Sequence, residues 1–433
     1  MKKSKKTGLI LLVSIMLFIA GCGQGGNAGG NASSGEDNKE SSSEKVTLQF
    51  WYPGHEETIT APVKKLIAGF EEKNPNIKVE YTSIPWKDYF QKLTVAYGGG
   101  SAPDVHGLGF GQLISTIDQD KYMDLNPFIE KSKWDGKEDF FPDVLKAGEW
   151  KGGQYGLLMP DVRALVWRKD FFQEAGLDPN MPPQTLDELF AYAEKLKKVE
   201  NGKTVRAGLD IATTNGEQNF LSLLLLQGAD YYQADGMPTF DSAESIAMLN
   251  KLVTLKKNGV IIPYNSQRLE GTLFQNSEAA MGLAPAYSLI QLKQAVGADK
   301  IGFALPPKGS SGKQTALMLG TFLTMSKSTK HADAAWTFME YWTAKENLFQ
   351  VATASGYVPP RKSLKEDYLK LAPENQTVFE LLNDARGFTI SNSWAVNSKY
   401  LRNALEEAYF ETKPIEQALK DNAEKAKEEL KLK

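Results

Sequence analysis

Cysteine is almost missing from this chain, with Cys22 alone among 433 residues. No internal disulfide can form, and no Cys-rich metal site can be built. Histidine is scarce too. His55, His106 and His331 are the whole supply, and none stand at metal-ligand spacing, which argues against a His-rich zinc enzyme. A basic surplus is also lacking. Fifty Lys and Arg face 53 Asp and Glu, a formal net charge of -3, where a nucleic-acid-binding protein usually carries excess positive charge. After Ala20 no apolar run nears the ~18 residues of a membrane-spanning helix, residues 221–226 being among the longest. No internal repeat at a solenoid period is found.

What is present begins with an address. Lys2, Lys3, Lys5 and Lys6 precede an apolar stretch, residues 9–20, broken only by Ser14. That stretch is too short to span a bilayer and has the order of an export signal. Cys22 follows Ile19, Ala20 and Gly21. This resembles the lipobox of bacterial lipoproteins, so residues 1–21 are expected to be removed and Cys22 to carry lipid. Without those four lysines the chain has 46 basic and 53 acidic side chains, a net charge of -7. Residues 22–45 are rich in Gly, Asn, Ser and Glu and cannot bury a core, so they are expected to form a flexible tether.

The body alternates two periodicities. VTLQFW (residues 46–51) predicts a strand, and Ile59, Val63, Leu66, Ile67 and Phe70 a helical stripe that stops at Asn74 and Pro75. IKVEY (77–81) predicts a second strand, a helix from Pro85 to about Tyr97 follows, and residues 104–108 predict a third strand. This order implies an α/β fold, a mostly parallel sheet with helices on both faces. Further on, VRALVW (162–167), 279–283 and 301–305 predict strands. Thr185 is expected to cap a helix carrying Leu186, Leu189, Phe190, Ala193 and Leu196. Asp241 and Glu244 suggest a capping box before Ile246, Leu249 and Val253. Ala335, Phe338, Met339 and Trp342 form another stripe, and the last third is expected to be nearly all helix, ending at residues 415–430.

Several stretches line up in order with one family. They are FEEKNPNIKVEY (70–81), DYFQKLTVAYGGGSAPDV (88–105), GGQYGLLMP (152–160), WRKDFFQEAGL (167–177), PPQTLDEL (182–189), EAAMGLAPAY (278–287), LPPKGSSGK (305–313) and ADAAWTFMEYWTAKE (332–346). The chain resembles the carbohydrate-type extracellular solute-binding proteins of ABC importers, the group that includes maltodextrin-binding proteins. It departs from them at Trp167-Arg168, where Tyr-Asn is usual, and at Leu186-Asp187, where Trp-Asp or Trp-Glu is usual.

The resemblance implies a bilobal, periplasmic-binding-protein-like fold whose lobes close by hinge bending over a ligand. Lobe 1 would comprise residues 46–160 plus about 318–362, and lobe 2 about 161–317 plus 363–433. It implies a carbohydrate ligand, no cofactor, no catalysis and a monomer lipid-anchored on the outer face of the cytoplasmic membrane. Its partners would be two transmembrane permease subunits with their ATPase.

A sugar asks for aromatic platforms and convergent polar groups, placed beyond the carboxyl ends of strands. That rule selects Tyr52, His55 and Glu56 after the first strand, and residues 106–112, including Gln112, after the third. The resemblance adds Asp161 as a hydroxyl-accepting carboxylate, with an ion pair to Arg163 as its structural alternative, and Tyr287 and Trp394 as cleft aromatics. Gln218 and Asn219 face the cleft or cap a helix, and Trp86 is a rim aromatic or packing. Trp394→Ala and Asp161→Ala are expected to weaken binding and spare the fold.

Rival functions are a binder of a glycerophosphodiester, using Arg163, Arg206 or Arg268, and a secreted carbohydrate-active enzyme. No nucleophile elbow or HExxH supports the enzyme. GSSGKQ (309–314) lacks phosphate-loop spacing and follows two prolines, which reads as a surface turn. Gly98, Gly99 and Gly100 stop a helix and do not form a dinucleotide fingerprint.

Overall fold

The computed structural model describes residues 45–54, 56–211, 216–233, 235–262, 272–310, 312, 314–372, 374–382, 385–387 and 393–431. Residues 1–21, Cys22, the tether up to residue 44, His55 and Arg268 lie outside them.

The strands are β1 (Val46–Pro53), β2 (Ile77–Ile84), β3 (Val105–Gly109), β4 (Glu149–Trp150), β5 (Gly153–Gln154), β6 (Leu157–Arg168), β7 (Lys198–Glu200), β8 (Lys203–Asp210), β9 (Ala279–Pro285), β10 (Ile301–Ala304), β11 (Ala316–Met325) and β12 (Ala385–Arg386). The main sheet runs β2-β1-β3-β11-β6-β9-β8-β7, with β10 also on β6 and β12 on β11. β1 pairs in parallel with β2 and β3, as the alternating order predicts. Helix Glu57–Lys73 makes the first crossover, burying Ile59, Val63, Leu66, Ile67 and Phe70, the five residues of the expected stripe.

β11 closes this first half of the sheet. It lies antiparallel to β3, pairing Thr324 with His106, and antiparallel to β6, pairing Leu319 with Asp161. The sequence reading did not name this strand. ALMLGTFLTM is buried along nearly its whole length, so it shows no alternation.

β6 is the strand both halves share. Its first residues, 157–162, pair with β11, and residues 163–167 pair with β9. β10 lies along residues 165–168. All twelve residues are buried. The changes of lobe expected at 160/161 and near 317/318 both fall inside strands, β6 and β11.

Helix Leu186–Leu196 begins as expected, with the Glu188 amide donating to Thr185 Oγ1 at 3.2 Å. The cap before helix Ala243–Lys257 differs. Ser242 Oγ accepts from the Ser245 amide at 3.2 Å, while Asp241 takes Lys427 of the last helix at 3.0 Å. Asp241 sits one residue too early, and Ser242 has the N-cap geometry.

Candidate functional site

The partner change inside β6 brings two charged side chains together. Asp161 and Arg163 are two apart on one strand and so share a face. Arg163 Nη1 donates to Asp161 Oδ2 at 2.5 Å, and both residues are buried. Arg163 Nη2 reaches Gln218 Oε1 at 2.9 Å, at the start of helix Gly216–Gln227. Burial raises the Asp161 pKa, and Arg163 opposes the rise. The amides of Tyr287 and Ala286 also face this carboxylate, yet Asp161 Oδ1 has no hydrogen-bond partner. The next residue after Gln218, Asn219, is 4% exposed, and its Nδ2 is likewise unpartnered.

Tyr287 stands beside this group. Its ring stacks on Tyr357, with centroids 5.2 Å apart and planes 22° from parallel. Burial pushes its hydroxyl up to about 12, and Asp161 and Glu56 push the same way. Glu56 is partly exposed just before helix Glu57–Lys73. Expected site residues from distant parts of the sequence, Glu56, Asp161 and Tyr287, thus lie around one region with Arg163, which holds Gln218, and Asn219 follows Gln218 in its helix.

Trp394 belongs to a neighbouring group. It opens helix Trp394–Tyr409 and lies directly over Gly111. Gln112, the next residue, turns back on its own helix, where Oε1 accepts the Gly109 amide at 2.9 Å. Trp86 approaches Gly109 from the other side. The Trp394 helix also touches the start of helix Gly216–Gln227, because Ser398 Oγ donates to Glu217 Oε1 at 2.9 Å.

Tyr52 requires a correction. It was expected in an exposed loop but is 4% exposed in the core, 5.2 Å from Trp342 and 5.8 Å from Phe50 between ring centroids. β1 runs on to Pro53, and the two-residue period sends Tyr52 to the same face as Phe50. His55 lies outside the described residues. His106 is fully buried, with Nε2 2.6 Å from the Tyr97 hydroxyl and Nδ1 2.9 Å from Thr324 Oγ1. Burial lowers its pKa from 6.5 to about 3. Of the arginines weighed for phosphate, Arg206 serves elsewhere, paired with Glu174 at 2.6 Å.

A cavity of about 680 Å³ lies at the other end of helix Gly216–Gln227, lined among others by Trp150, Tyr231, Tyr232, Phe110 and Arg386. None of the expected site residues line it. The helix separates it from Gln218 and Asn219 by about 1.5 Å per residue. The cavity nevertheless adjoins the expected residues, since Phe110 in its wall precedes Gly111 and Met318 precedes Leu319, the partner of Asp161 on β11. Trp394 is seated on Gly111, and Tyr287 on Tyr357. Sequence reasoning gave no signal for the cavity, whose walls come from five separated segments.

Among the described residues no group of three or more His, Cys, Asp or Glu could hold a metal ion, and no helix is long and apolar enough to cross a membrane. The model of the family described as bacterial extracellular solute-binding protein matches residues 65–398. The chain belongs to this family. The solute-binding protein is 27% identical over 388 residues to the multiple sugar-binding protein of Streptococcus mutans, covering 85% of each chain. Its fold matches an ABC substrate-binding protein from Listeria monocytogenes in complex with cycloalternan, at a TM-score of 0.79 and 21% identity, over 89% of this chain and 99% of that one. A solute-binding protein from Thermotoga lettingae bound with alpha-D-tagatose matches at a TM-score of 0.78 and 23% identity, over 88% and 98%. The fold is the bilobal one of solute-binding proteins.

Proposed function

We propose that this solute-binding protein is the receptor of an ABC importer for a neutral sugar or short oligosaccharide. One observation carries the choice of ligand. An unpartnered buried acceptor on Asp161 lies beside Tyr287, whose ring stacks on Tyr357, and Asn219, next to Gln218, holds an unpartnered buried donor. A hydroxyl both donates and accepts, and a sugar ring presents an apolar face between its hydroxyls. The guanidinium of this region, Arg163, is already committed to Asp161 and Gln218. A phosphodiester would need a cation not so engaged.

In this reading Glu56, Gln112, Asp161, Asn219, Tyr287 and Trp394 border the ligand, and the protein performs no chemistry on it. Cys22 carries the lipid that holds the protein on the outer face of the cytoplasmic membrane. The loaded form is handed to two permease subunits driven by their ATPase, and the protein works as a monomer.

A thermal-shift screen tests the ligand class, using malto-, arabino- and manno-trioses, their monosaccharides, and glycerophosphodiesters. A ligand at a hundredfold excess over its Kd stabilises by about 2.7 kcal/mol. A shift with one glycan, recovered unchanged, supports the proposal. A shift with phosphodiesters alone overturns the sugar reading, and a cleaved glycan overturns the absence of catalysis.

A further inference from the structure

Gly111 has no backbone reason to be glycine. It is the second residue of helix Phe110–Thr116, and it is not one of the glycines with positive φ. Glycine in a helix is less favourable than alanine. The space above it gives the reason. A Cβ built on Gly111 would stand 2.2 Å from Trp394 Nε1, 2.6 Å from Cδ1 and 3.1 Å from Cε2. Those distances lie far inside van der Waals contact.

The two residues come from opposite sides of the shared strand. Gly111 follows β3, on the β1–β3 side. Trp394 opens a helix that touches helix Phe110–Thr116 but packs mainly on helix Ile415–Lys431 and also on Ala243–Lys257, just beyond which Val260 accepts the Gly208 amide of β8 at 2.7 Å. The contact therefore spans the region between the halves. Another such contact, Tyr287 against Gly356, has a separate explanation, because Gly356 caps helix Lys345–Ser355 at φ +77°. Gly111 lacks that alternative.

We infer that Gly111 is the seat of Trp394 in the closed cleft, a positioning residue whose missing side chain sets how far the two halves can approach. This rests on the cleft reading above but not on the ligand being a sugar. A side chain at Gly111 holds the indole off, and with it the half that carries it. Because no ligand contact is required, the effect is on closure, and on affinity only through closure.

The test is a distance measurement between nitroxide labels at Lys92→Cys and Glu244→Cys, both exposed and one in each half, in the full chain with Cys22→Ser. Spectra are recorded without additive and with maltotriose, arabinotriose or mannotriose. The parent is expected to show a compact component in at least one condition. Gly111→Val should lose it, and Gly111→Ala should reduce it without lowering the melting temperature, since alanine favours the helix. In a Trp394→Ala background the same Gly111 substitutions should leave the distances unchanged, because the clashing ring is gone.

An undiminished compact component in Gly111→Val overturns the inference, as does equal loss in the Trp394→Ala background. A parent with no compact component in any condition also overturns it. The sugar reading is judged separately, by whether any triose shifts the parent's melting temperature, so either reading can fail while the other stands.

Discussion

The side chain at Asp161 shows how much of a residue's surroundings a sequence leaves unseen. Its neighbourhood was readable from the motif GGQYGLLMP and from the strand that follows. The buried ion pair was foreseen only as an alternative, because linear sequence does not show which side of a strand loses water. With that pair in view, the expectation that Asp161→Ala spares the fold no longer holds. Arg163 would be left buried without its counter-charge, an error that costs on the order of 3–5 kcal/mol. Asp161→Asn keeps the shape and one acceptor, so it should cost less stability and still weaken ligand binding. Urea melts of both variants, read beside their thermal shifts with ligand, check this. Equal stability of Asp161→Ala and the parent would mean that the pair contributes nothing to the fold. Tyr52 was misplaced for a simpler reason, since a strand two residues longer than expected turned a loop residue into a core residue.

At the scale of elements, amphipathic helices were the most legible part of the chain. Each buries one stripe and wets the other, so periodicity survives in the sequence. β1, β2 and β3 were readable because turn residues bound them. β11 was not, because a strand covered on both faces looks like any apolar run. Within β11, Gly320 is a second departure from regularity. Its φ is +136°, and a Cβ there would fall 2.2 Å from the Met159 carbonyl oxygen on β6. Gly320→Ala should therefore strain the β11–β6 ladder and lower stability by about 1–3 kcal/mol. Denaturant unfolding reads this directly, and a stable Gly320→Ala would show that the ladder can shift to accept the methyl group. The site itself was partly legible for the opposite reason. Polar and aromatic residues in loops and at helix starts stand out against apolar neighbours, but which of them meet is decided by strand order, and strand order was not in the sequence pattern.

For the whole molecule, acid should be the weak point, and His106 is the reason. Its pKa falls from 6.5 to about 3 because the fold buries it neutral. A group held below its unfolded value adds stability that is complete above pH 6.5 and is lost as pH falls from there toward about 3. Asp161 and Glu217 work the other way, since burial raises both. Their effect favours the fold below the unfolded carboxylate pKa and is lost as pH rises through their folded values. As pH falls below 6.5 the His106 loss runs against the gain from these two carboxylates, and a His106 variant separates its share. His106→Asn should flatten that limb of the stability profile, measured by urea midpoint against pH. An equally steep limb in the variant would assign acid sensitivity to other groups.

The strand order has one more consequence, and it concerns time. β3 is finished by residue 109, but its partner β11 begins only at residue 316. A chain emerging from the ribosome cannot complete its first half-sheet until more than two hundred further residues have been made. Long-range pairing of this kind is slow to form. The first half-sheet is therefore closed by the most non-local pairing of its strands, and its completion should be the late step of folding.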